Sequence, residues 1–96
     1  MKVQGVLINS ANIRYNNASD DSRVYDIEAN INIADGVMNN VDSGVVKKNG
    51  VRVANFNWWD ENRLNITYQG VSLEERNEIN VAVDGFINEV KNAING

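Results

Sequence analysis

From Tyr25 to Ile33 the chain alternates without a break. Tyr25, Ile27, Ala29, Ile31 and Ile33 take one parity, Asp26, Glu28, Asn30 and Asn32 the other. A period of two puts successive side chains on opposite faces, so this segment predicts a strand with one buried and one wet face. Upstream, Val3, Leu7, Ala11, Ile13 and Tyr15 share a parity against Gln4, Ser10, Asn12 and Arg14, with Val6 and Ile8 as exceptions. This predicts a long first strand. The Asn/Asp/Ser-rich stretch from Asn16 to Ser22 reads as a solvated turn joining the two into an antiparallel hairpin.

Residues 34–44, "ADGVMNNVDSG", fit either a helical turn or a short strand around Val37, Met38 and Val41. Beyond them, Val45 and Val46 lead through Lys47-Lys48 to Asn49-Gly50, the pair favoured where a two-residue turn needs positive φ at both positions. Val51 and Val53 resume a strand, but the apolar parity then moves to Ala54, Phe56 and Trp58. Such a shift predicts a bulge near Ala54-Asn55 or a strand covered on both faces. Asp60 to Arg63 turns the chain, and Leu64, Ile66 and Tyr68 alternate again.

Ser72 with Glu75 three positions on has the form of a capping box. Ile79, Ala82, Val83, Phe86, Ile87, Val90, Ala93 and Ile94 follow at helical spacing. Gly85 weakens that helix by about 1 kcal/mol, and Gly96 ends it. The expected fold is therefore α+β: an antiparallel sheet of four to five strands with one C-terminal amphipathic helix packed on one face. One domain is expected over 1–96, β-rich through 71, with the helix over 72–95.

At 96 residues the chain supports one modest core, which leaves function to the surface of a single unit. Cysteine, histidine and proline are all absent. Disulfides, thiolate chemistry, zinc clusters and the commonest general base are thereby excluded. No apolar run is long enough to span a membrane, and the opening MKVQGVLINS is too polar for a secretory signal, so a cytoplasmic address is expected. Asparagine occurs 18 times, in keeping with an AT-rich bacterial, plasmid or phage genome. Two glycosylation sequons, at Asn17 and Asn65, arise by chance in such a chain.

Charge is uneven along the sequence. Residues 1–46 sum to −3, 47–63 to +2 and 64–96 to −3, giving the net −4. The only basic segment is thus the hairpin that also carries Trp58 and Trp59. Adjacent strand residues point to opposite faces, so Trp58, in phase with Phe56, is expected in the core and Trp59 outside it. An exposed indole is a preferred anchor for a partner. Trp59, Lys47, Lys48, Arg52, Arg63 and Asn57 form the candidate binding set. They suggest a small intracellular, non-enzymatic binding or regulatory module, phage- or mobile-element-encoded, that grips a protein partner through the 47–63 hairpin. Cations beside aromatics are equally the parts of a single-strand nucleic-acid site, the alternative reading, although the acidic remainder repels a polyanion. A structural role in a larger assembly is a third reading. A sheet edge together with Trp59 would suit homodimerisation.

Asn49-Gly50, then Trp58-Trp59-Asp60, then Gly70-Val71-Ser72-Leu73 opening the last helix resembles the order of features in the single-stranded-DNA-binding transcriptional coactivator domains. The resemblance covers only the C-terminal half and implies single-strand binding by the hairpin. The chain lacks that family's density of basic residues, and its first 44 residues have no counterpart there.

Carboxylates do not assemble a catalytic or metal site on this reading. Asp20-Asp21 fall in a loop, and Glu74, Glu75 and Glu78 sit where acids oppose a helix dipole. Asp35 and Asp42 lack the spacing of a twelve-residue calcium loop. No phosphate-cradling glycine loop or nucleophile elbow occurs. No cofactor, metal or enzymatic activity is expected.

Overall fold

A computed structural model describes residues 11–18, 20–60 and 62–95, with side chains from 16 to 94 within those ranges. Five strands and a helix follow in order: β1 (Ala11–Asn16), β2 (Asp26–Ala34), β3 (Val37–Lys48), β4 (Val51–Asp60), β5 (Arg63–Tyr68) and α1 (Leu73–Asn95). The sheet order is β1-β2-β3-β4-β5, each strand antiparallel to the next, so the chain simply meanders. The expected α+β class is the observed one. The expected first strand before residue 11, and Gly96 as helix stop, lie outside the described residues.

The ambiguous stretch is a hairpin and the start of a long strand. Asp35 and Gly36 have φ of 53° and 75°, and Asn49 and Gly50 have 54° and 80°. Both pairs meet the positive-φ demand of a two-residue turn whose twist matches the flanking strands. The first turn joins β2 to β3, closed by the Ala34–Val37 pair, and the second joins β3 to β4, closed by Lys48–Val51.

Bulges explain why the alternation of β3 and β4 was hard to follow. Between Asn32–Asn40 and Ile33–Met38 the register slips past Asn39, and a second slip falls at Ser43-Gly44. Ser43 has a φ of 52°, and the side of Gly44 faces the Phe56 ring so closely that a Cβ there would lie 2.5 Å from it. On β4, Arg52 pairs with Lys47 and Ala54 with Val46, leaving Val53 unpaired. Val53 and Ala54 are consequently both buried. The parity shift is a bulge, one residue before the expected place.

One face of the sheet meets the helix. Ile27, Ala29, Ile31, Met38, Val41, Val46 and Phe56 from the strands share a core with Ile79, Val83, Phe86, Ile87 and Val90 of α1. Phe56 and Phe86 meet edge to face, centroids 6.2 Å apart. Each such buried side chain contributes about 1.5–3 kcal/mol, so the core is sufficient reason for the helix to lie where it does. Ser72 caps α1, its hydroxyl oxygen accepting from Glu75 N–H at 3.2 Å.

The β1–β2 connection departs from expectation. Asn17 is 1% exposed rather than solvated. Its side chain donates to Tyr25 C=O at 2.8 Å and accepts from Ile27 N–H at 3.0 Å, while its backbone N–H bonds Ile27 C=O at 3.1 Å. A side-chain amide offers a donor and an acceptor together, so this residue closes the loop as a strand pair would.

Candidate functional site

With the helix on one side, no described element lies over the other. That open face carries Asn30 and Asn32 from β2, Asn40 and Asp42 from β3, Asn55, Asn57 and Trp59 from β4, and Asn65 and Thr67 from β5. Directly opposite residues of an antiparallel pair share a face. Asn30 pairs with Asp42, Asn32 with Asn40, Asn55 with Thr67, and Asn57 with Asn65. Six of the eighteen asparagines thus share this one surface.

Part of that surface is already organised. The Asn32 amide donates to Asp42 Oδ2 at 2.9 Å and also to Asn40 Oδ1. The Gln69 amide donates to Asn55 Oδ1 at 2.8 Å. Asn57 and Asn65 meet in register between these two groups.

Trp59 stands at one corner of this face and is 46% exposed. Its neighbour Trp58 turns to the helix side, half-buried, with the Lys91 ammonium 5.9 Å from its ring centroid. The pairing slips between Trp58–Leu64 and Asp60–Arg63. That bulge leaves Trp59 without an opposite residue on β5.

Of the candidate cations, only Arg63 lies at the indole's end of the sheet. Lys47 and Arg52 face each other across the β3–β4 hairpin, both exposed, with Asp26 of β2 in register on the other side of Lys47. Arg52 is seven positions from Trp59 along one strand, which at strand rise is about 23 Å. Lys48 lies on the helix side, its ammonium 3.3 Å from Glu75 Oε1 and 5.7 Å from the Tyr25 ring centroid. Arg63 turns back to Asp60, Nε to Oδ2 at 2.8 Å. Of the candidate set, Trp59, Asn57 and Arg63 share one end of the open face. Lys47 and Arg52 form a cationic pair at the far end of that face, Lys48 lies on the helix side, and Arg63 is held by Asp60. The sequence placed them together because they are close in the chain; the strand length separates them.

Asp60 and Tyr25 have shifted titration. The Asp60 carboxyl is held below its ordinary value, first by the Asn62 N–H that it accepts at 2.8 Å and then by Arg63. Tyr25, 5% exposed, is pushed up to about 12, first by burial and then by its hydroxyl's bond to Glu78 Oε1 at 3.0 Å. Both effects belong to turns and helix docking. Tyr25 lies on the helix side, and Asp60 pairs with Arg63 at the bulge beside Trp59.

A separate groove of about 570 Å³ runs between the β1–β2 connection and α1, lined by Val24, Tyr25, Val81 and Ala82 among others. Val24 and Val81 are 66% and 71% exposed. No described group of three or more acidic residues has the arrangement to hold a metal ion, and no described helix is long and apolar enough to cross a membrane.

No family model, curated protein or solved structure matches this chain. Its function has to be argued from the chemistry of these surfaces. The feature that sequence reasoning missed was the amide face itself, and its signal was present: asparagine recurs at the polar parity of β2, and again at the polar parity of β4 and β5.

Proposed function

We propose that this chain is a small, non-enzymatic binding module that docks a protein partner on the open sheet face, with Trp59 as the anchor. The exposed indole beside a flat field of side-chain amides carries the reading. Asparagine side chains both donate and accept, so Asn57, Asn65 and Asn40 can bond peptide groups or polar side chains of a partner without selecting one charge. The indole supplies the apolar contact that concentrates binding energy at an interface.

Single-strand nucleic-acid binding receives less support from the geometry. A backbone-tracking groove needs cations alongside the stacking ring, whereas Lys47 and Arg52 lie about 23 Å from Trp59 and Lys48 and Arg63 are paired with carboxylates. The two readings separate in one comparison. Affinity capture of partners from the source cells with wild-type protein and with Trp59→Ala should lose a specific partner in the variant. The loss expected for an anchor is about 2 kcal/mol, roughly thirtyfold in affinity. Titration with a single-stranded oligonucleotide at low salt should leave tryptophan fluorescence unchanged. Quenching that weakens as salt is added would overturn the protein-partner reading in favour of nucleic acid.

A further inference from the structure

The sheet has a second feature, independent of Trp59, at its β5 edge. In an antiparallel ladder the residues that exchange hydrogen bonds alternate with those that do not. Gln69 N–H donates to Val53 C=O at 2.9 Å, which fixes the phase. Counting back along β5, Thr67 and Asn65 turn their backbone groups to Asn55 and Asn57, with which they are in register. The N–H and C=O groups of Leu64, Ile66 and Tyr68 consequently point away from the sheet.

Natural edges are usually blunted by lysine, proline, a bulge or an inward charge. From Leu64 to Tyr68 there is none of these, and the slip in pairing falls before Leu64. On the helix side, Leu64, Ile66 and Tyr68 are packed against the core but only half-buried, because α1 lies mainly over β3, two strands away. The outermost strand therefore offers bonding groups and incompletely covered apolar side chains along the same line.

We infer that two copies of this chain join through β5, antiparallel about a two-fold axis at Ile66, to make one continuous ten-stranded sheet. A second copy fits this edge on two counts. Centring on Ile66 sets Leu64 opposite Tyr68 of the other copy, so the outward N–H and C=O groups of each strand meet their complements. On the helix side the same register brings the half-covered Leu64, Ile66 and Tyr68 of both copies together.

On the face away from the helix, this register sets Asn65 opposite Thr67 of the other copy. Both are exposed, so they can be changed without entering the core. Sedimentation and light scattering across concentrations up to millimolar should show a concentration-dependent dimer of the wild-type chain. Asn65→Lys with Thr67→Lys puts like charges opposite each other and should weaken that dimer at least tenfold, as should Asn65→Glu with Thr67→Glu. Mixing the two folded variants should restore dimers, now mixed, because each lysine meets a glutamate. A wild-type chain that stays monomeric at millimolar concentration overturns the inference. Charge variants that dimerise as well as wild type, or that separate and fail to rejoin on mixing, overturn it too.

Discussion

Gly44 sits where β3 bulges against Phe56, and its missing side chain is the reason the ring fits. A methyl group there would lie 2.5 Å from ring carbons that are themselves buried against α1. Gly44→Ala should therefore lower unfolding free energy by about 1–3 kcal/mol, the cost of overpacking, read by urea denaturation. Asn17 presents the opposite case, a polar group that is buried because all its capacity is used. Asn17→Ala strands the Ile27 N–H and Tyr25 C=O and should cost about 1–3 kcal/mol for each group left unbonded. Tyr25 gives a pH signature. Its folded-state pKa is raised from 10.0 to about 12, so burial and the bond to Glu78 favour the neutral phenol. That contribution is fully present below pH 10 and lost as pH rises towards 12. Wild-type stability should fall in this window by more than that of Tyr25→Phe, in parallel denaturation curves across the range. Identical slopes would remove the assignment. None of these roles was legible at residue scale: a sequence shows that Gly44 is small and Asn17 polar, but not which ring or amide the fold sets beside each.

At the scale of elements the legibility is much better, and its failures have causes. β2 and α1 were readable because their periods run unbroken, and Asn49-Gly50 because its turn geometry admits few other residues. Residues 34–44 resisted because two bulges reset the parity of β3, although Asp35-Gly36 carried the same hairpin signal as Asn49-Gly50. The β1–β2 connection was misread because Asn and Ser favour solvated turns in general, and only tertiary contact reveals that Asn17 is an anchor. Within α1, Gly85 has open space around the position a Cβ would take and no positive φ. Gly85→Ala should stabilise the protein by about 0.5–1 kcal/mol through helix entropy alone, seen as a higher denaturation midpoint with an unchanged slope. A loss of stability instead would mean that Gly85 makes a close contact that the helix geometry does not show.

At the scale of the whole molecule, the sheet divides the chain into a face that holds the fold and a face that does not. The helix side uses the apolar parity of every described strand from β2 to β5. The other side concentrates asparagine and Trp59, and contributes little to the core. That division turns adjacent tryptophans into residues with different work: Trp58 supports the helix, and Trp59 is left to solvent or a partner. Of the candidate site, the exposure of Trp59 was legible from strand alternation. The dispersal of the cations was not, because it depends on β4 running ten residues before it turns. The most direct test is acrylamide quenching of the Trp58→Phe variant, whose only indole is Trp59. The account predicts a red-shifted emission maximum and ready quenching, as for an indole 46% exposed, at a protein concentration too low for self-association. A blue-shifted, quencher-protected emission from that folded variant would mean that Trp59 is covered, and would contradict the open binding face.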